Sequence, residues 1–337
     1  MRLTSRVSLN FGGGGWSPWL TSAAEGSRSA AFEVYIKIRG SWTLCTADER
    51  LLLVVRTALR SSIQNITFYA PDSLLSNWSH IVPRGSYSNG SSQTEPSLIE
   101  VSTLHGARIL SNETWSSSQP SQEIGVLNFA SANHPSGGFI NGAQAQEEFI
   151  ARAFTIYATL TSAIAKRFYD LHNQDPKGGF YSHAMIYSPS VTVFRNDSGK
   201  WVSSYQIEVV TSPAVNAGDV RRRERKDDLN GDAIEAKIQK IMRERMGRIL
   251  FLFEQQGIRN IVLGSFGTGV FRNDVGTVAS IWADLLMIDG ARYKHSFDRV
   301  CFAILGAETF ATFHTVFNEH LGPSPSSATV AGSSIEI

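Results

Sequence analysis

Two adjacent carboxylates, Glu147 and Glu148, close a glycine-bearing stretch, GGFINGAQAQEEF (137–149), and open an apolar run. Paired carboxylates are the side chains that give and take protons. Glycines ahead of a helix let backbone N–H groups approach an anion, and the helix N-terminus favours negative charge. The same spacing also fits a plain helix start, with Asn141 as N-cap, Glu147 and Glu148 complementing the helix dipole, and Glu148 paired with Arg152 at i+4. On spacing alone the cap is the better-supported reading. At about 100° per residue both glutamates point roughly 120–140° from the stripe Phe149, Ala153, Ile156, Tyr157, Leu160 and Ile164, so neither is expected in the core.

A second stretch, IVLGSFGTGVFRND (261–274), repeats the plan of apolar strand, Gly-rich loop and helix. It is not a dinucleotide fingerprint, because Asn273 stands at the third glycine of GxGxxG, and no GKS or GKT follows to make a P-loop. Two such units in one sheet could hold a diphosphate from both sides.

Around these loops the chain reads as alternating strands and helices. Strands are expected at 99–103, 125–131, 183–195, 203–215, 259–266 and 299–305. Helices are expected at 47–62 with Asp48 as cap, at 143–169 as one long helix, and at about 232–256, 275–288 and 307–320. Residues 84–98 read as loop, and RRRERKDD (221–228) as a charge run forming a solvated approach to the next helix, with contact to polymer phosphates as the alternative. The Asn196–Gly199 turn makes a hairpin of the two central strands, so the sheet is mixed and covered by helices on both faces. Residues 1–45 read as a peripheral, poorly ordered arm with one strand at 32–38. Residues 46–320 read as the domain, and 321–337 as a disordered tail.

The chain has 337 residues, net charge +1 and two cysteines, Cys45 and Cys301. The near-neutral balance gives no global field for DNA or an anionic membrane. Two distant thiols suit a reducing, intracellular setting, cytoplasmic or nuclear. No apolar run approaches the roughly 20 residues of a membrane span. Eight histidines without paired spacing give no metal site, and His134 reads as a solvated loop residue.

VLNFASANHPSGGFINGAQAQEE (126–148) resembles the signature of the poly(ADP-ribose) glycohydrolases. IYSPSVTVFRND (186–197), VVTSPAVNAG (209–218) and VLGSFGTGVFRND (262–274) resemble later blocks of the microbial, bacterial-type branch, in the same order. The resemblance implies an α/β fold, macrodomain-like, with three α/β/α layers and a mixed central sheet. It implies hydrolysis of ribose–ribose O-glycosidic bonds without cofactor or metal, on poly(ADP-ribose) and ADP-ribosylated proteins, by a monomer.

By position, Glu148 matches the catalytic acid and base, and Glu147 the neighbour that orients the ribose. Gly137, Gly138, Phe139 and Gln146 match the first loop and its helix start. Gly267, Thr268, Gly269, Val270 and Phe271 match the diphosphate loop, and Asn128 and Asn216 reach ribose or adenine. Ser136 stands where the family usually has glycine, at a cost of about 1 kcal/mol if the position needs positive φ. Two alternatives stay open: an ADP-ribose-binding module without hydrolysis, and hydrolysis of another ADP-ribosyl linkage.

Overall fold

A computed structural model describes residues 6–8, 19–22, 31–38, 41–82, 94–116, 123–224 and 231–321. The expected tail therefore lies outside the described residues except for Leu321, as do much of the arm and residues 225–228 of the charge run. Within the arm, β1 (Arg6–Ser8), β2 (Trp19–Ser22), β3 (Ala31–Ile38) and β4 (Ser41–Asp48) form an antiparallel sheet, where one strand was expected. Helix α1 (Glu49–Asn65) follows directly.

The central sheet has seven strands in the order β5-β8-β9-β7-β10-β11-β6. These are β5 (Thr67–Tyr69), β6 (Glu95–Ile99), β7 (Ile124–Phe129), β8 (Met185–Arg195), β9 (Trp201–Ser212), β10 (Asn260–Leu263) and β11 (Arg299–Ala303). Strands β9, β7, β10, β11 and β6 run parallel. The β8–β9 hairpin and edge strand β5 are antiparallel, which makes the sheet mixed.

Apolar side chains cover both faces, as near-continuous apolar strands require. Helices α7 (Gly231–Gln255), α8 (Val275–Leu286) and α9 (Ala307–Leu321) pack one face through residues such as Phe251, Trp282, Phe313 and Phe317. The other face carries α2 (Thr103–Ser116), α3 (Gln146–Ala153), α4 (Ile156–Leu160) and α5 (Ala163–Gln174), through Ala107, Ile150, Ile156 and Phe168. The three layers match the fold expected from the sequence. Trp78 packs in the core, stacked 6.1 Å from Tyr293.

Beyond the arm, three expected elements differ, the first being the loop at 84–98, which carries most of strand β6. The strand expected at 99–103 ends at Ile99 and helix α2 starts at Thr103. Its β-branched residues suggested a strand, but Gly106 lets the helix lie against Ala303 and Cys301. The single helix expected at 143–169 is three. Phe154 takes extended backbone and bridges to Val193, which breaks the helical ladder, and the Ser162 hydroxyl then caps α5 by accepting the Ala165 N–H. The first four residues of the charge run 221–228 belong to helix α6 (Ala217–Glu224).

Candidate active site

Three loops leave the carboxyl ends of three adjacent interior strands, β9, β7 and β10, at one end of the sheet. The carboxyl ends of the strands are where open α/β sheets place ligands. The loop after β7 carries the first glycines and leads into α3. Ser136 and Gly137 both take positive φ, +54° and +58°, and turn the backbone under the start of the helix. A Cβ on Gly137 would collide with the carboxylates of both Glu147 and Glu148, so bare backbone forms the surface on which they rest.

Both glutamates are buried, at 3% and 6% exposure, against the expectation that neither belongs to the interior. The helix wheel placed them correctly relative to the apolar stripe. What it omitted is the preceding loop, which folds back over them. Asn141 is not the cap either: it lies in a 3-10 turn, and α3 begins five residues later behind Ala145. Glu148 serves its own helix start, accepting the Ala145 N–H at 3.0 Å through Oε2, while Oε1 accepts the Gly138 N–H at 2.8 Å. One carboxylate thus joins loop to helix.

Glu147 faces the interior. Its Oε2 accepts the Ser131 N–H at 2.6 Å, and its buried Oε1 has no hydrogen-bond partner. Burial pushes its pKa well above the carboxylate range; the Ser131 N–H pulls the other way, and the Glu148 charge adds to the rise. Tyr169, fully buried nearby, is raised by burial and by the Glu147 charge. The hydroxyl of Ser136 and Oδ1 of Asn128 are also buried without partners, while Nδ2 of Asn128 donates to Thr211 at 3.2 Å. Such concentrations of unsatisfied polar atoms are costly and gather where chemistry is done.

Gln146 is committed to the scaffold. Its Oε1 accepts the Phe129 N–H at 2.9 Å, and its Nε2 donates to the Leu127 carbonyl at 2.8 Å and to Thr103 at 3.2 Å. Phe139 packs at 5.2 Å on Tyr157.

The second loop, after β10, is braced by its own side chains, with Asn273 Oδ1 left buried and unpartnered. Gly267 has φ +76° and lies so close to Ala214 and Asn273 that no side chain fits. Thr268 donates to the Ser265 carbonyl at 3.0 Å, and Asn273 donates to the carbonyls of Val215 at 2.7 Å and Gly267 at 3.0 Å. Asn273, the residue that spoils a dinucleotide fingerprint, is therefore the brace of this loop. Val270 stands at the tip, 79% exposed. Phe271 is part-buried and faces Tyr181 at 6.0 Å. Asn216, in the loop after β9, caps α6 by accepting the Asp219 N–H at 3.1 Å, and its own N–H donates to the Gly179 carbonyl.

The structure thus brings Glu147, Glu148, Gly137, Gly138 and Asn128 together, and joins Gly267 to Phe271 with the loop of Asn216. Sequence reading missed Ser131, which holds Glu147, and Tyr181, the ring against Phe271; neither carries a local motif. His134 is exposed, as expected. Among the described residues no group of three or more metal-ligating side chains gathers.

Fold and site together define a macrodomain-like α/β protein with a carboxylate pair set at a glycine loop. The catalytic-domain family of microbial-type poly(ADP-ribose) glycohydrolases matches residues 44–196. The crystal structure of the poly(ADP-ribose) glycohydrolase of Thermomonospora curvata is 33% identical, over 78% of this chain and 88% of that one, with a TM-score of 0.66. The same enzyme bound to the inhibitor ADP-HPD is 32% identical over the same shares, with a TM-score of 0.64. The Deinococcus radiodurans poly(ADP-ribose) glycohydrolase in complex with ADP-ribose is 30% identical, over 78% of this chain and 96% of that one, with a TM-score of 0.65. No curated protein matches the sequence. The chain belongs to the microbial-type poly(ADP-ribose) glycohydrolase family.

Proposed function

We propose that this protein is a poly(ADP-ribose) glycohydrolase that cleaves ribose–ribose O-glycosidic bonds and releases ADP-ribose, with Glu148 as general acid and then base. The observation that carries the reading is the pair Glu147–Glu148 seated on the bare backbone of Gly137. Cleaving a glycosidic bond needs a proton on the leaving oxygen and negative charge near an oxocarbenium-like centre. Glu148 supplies the proton and afterwards activates water. The diphosphate of the substrate, held between the Gly137–Gly138 loop and Gly267–Phe271, brings negative charge to the same place.

Glu147 acts on the ribose indirectly. With Oε1 buried and Oε2 on the Ser131 N–H, it fixes the loop that the sugar meets. Gln146 does the same for the end of β7, and Asn128 and Asn216 line the ribose and adenine ends. Ser136 keeps positive φ, so the loop holds its turn with a serine in it, which favours an intact site over a binding module. ADP-ribosylated proteins, as carriers of the polymer, are the partners that follow, with the chain acting as an intracellular monomer. No helix among the described residues is long and apolar enough to cross a membrane.

The test is incubation with poly(ADP-ribose) and measurement of released ADP-ribose, beside Glu148→Gln. Release by the parent and its loss in the variant support the reading; binding of polymer without release by the parent overturns it.

A further inference from the structure

Helix α7 buries one cation that no carboxylate among the described residues answers. Arg245 is 0% exposed, and the charged or titratable groups that interact with it are Arg248, Tyr181, His172 and His183. Burial draws its pKa down to about 9, so it remains a cation at neutral pH. Taking a guanidinium out of water without a counter-ion is expensive, and a chain that does so commits the group to specific hydrogen bonds. Here the partners are backbone. Nη1 donates to the Pro213 carbonyl at 3.0 Å, and Nη2 to the carbonyls of Phe180 at 2.8 Å and Tyr181 at 3.3 Å.

These carbonyls belong to two segments far apart in sequence, one entering β8 and one leaving β9. Tyr181 has φ +55°, a conformation that a bulky residue holds only where its surroundings impose it. Its ring lies 6.0 Å from Phe271 and edge-on to His172 at 5.8 Å. Phe271 in turn accepts the Gly218 N–H through its carbonyl, which ties the second glycine loop to the start of α6.

We propose that Arg245 is a positioning residue for ligand binding: by gripping the carbonyls of Phe180, Tyr181 and Pro213 it sets the Tyr181 ring behind Phe271 and fixes the Gly267–Phe271 loop over the diphosphate. This rests on the ADP-ribose reading of the site. The fork geometry matters as much as the charge, because one point-charge ammonium cannot reach three carbonyls on two segments.

The test is titration calorimetry with ADP-ribose on Arg245→Lys, together with steady-state kinetics on poly(ADP-ribose). The expected result is a Kd and a KM each raised about tenfold, with a much smaller change in kcat. Adding Phe271→Ala to Arg245→Lys should weaken binding no further than Phe271→Ala alone, since both act on one loop. A folded Arg245→Lys with parental Kd, or effects that simply add, overturns the proposal. Should Arg245→Lys not fold, Tyr181→Leu decides: it removes the ring but keeps the carbonyl, and a parental Kd there also overturns it. A parent that binds ADP-ribose without cleaving polymer defeats the hydrolytic reading and leaves this proposal standing; a parent that does not bind ADP-ribose defeats both.

Discussion

The two glycine loops share a strand–loop–helix plan and differ in how they treat their own polar atoms. The loop after β10 uses Thr268 and Asn273 to close on itself, and its tip residue Val270 stands in solvent. The loop after β7 closes on two carboxylates instead. It leaves Ser136 Oγ, Asn128 Oδ1 and Glu147 Oε1 buried and unpartnered around them. The loop after β10 leaves one such atom, Asn273 Oδ1, and no such carboxylate oxygen. A loop that must move protons keeps titratable groups out of water and in tension with their neighbours. On the proposed function, the loop after β10 is the clamp and the loop after β7 the reaction site.

Substitutions that separate these roles test the contrast. The largest effect is expected from Glu148→Gln, which should lower hydrolysis by about 10²–10⁴-fold while ADP-ribose Kd changes far less, measured by product release and calorimetry. A comparable loss of ADP-ribose affinity would make Glu148 a binding residue and erase the distinction.

Next come two glycines. Gly137→Ala puts a Cβ into both carboxylates at positive φ and should destabilise the fold by roughly 2–4 kcal/mol in denaturant unfolding. Gly269→Ala in the other loop meets open space and should stay within about 0.5 kcal/mol of the parent. Equal effects would mean that the loops are equally crowded.

A third test uses pH. Burial raises the Glu147 pKa in the folded protein, so the native state holds a proton that the unfolded chain releases near pH 4.3. Stability contributed by this group is full below that value and is lost as pH rises towards the folded pKa. Glu147→Gln should remove the loss, so its advantage over the parent grows from about pH 4.3 upwards in unfolding curves. A difference that is flat with pH would place the burial cost elsewhere.

The smallest effect is expected at Ser136. Ser136→Gly relieves a positive φ and should raise stability by up to about 1 kcal/mol, a shift of a few degrees in Tm. A drop would mean that the buried hydroxyl stabilises the site.

Much of this was legible in the sequence because it is local. The apolar strands, the hairpin at Asn196–Gly199, the helix ending before Gly257 and both strand–loop–helix units follow from pattern and turn chemistry. The failures are non-local. Helix periodicity runs on through residues 153–163, and nothing there announces that Phe154 will pair with Val193 on β8. The glutamates read as outward-facing because a helical wheel describes one helix, while their burial comes from a loop that returns over them. Tyr181 and Arg245 reach the site only through the folding of β8, β9 and α7, and no spacing rule joins positions 181, 245 and 271.

The surface beneath Glu147 and Glu148 is main chain, because Gly137 has no side chain to put there. Main chain has no rotamers. Where a side chain would sample alternative wells and carry that motion to whatever rests on it, the Ser136–Gly138 peptide planes move only as the whole loop moves. The carboxylates therefore rest on a surface whose shape is set with the fold rather than by a neighbouring rotamer.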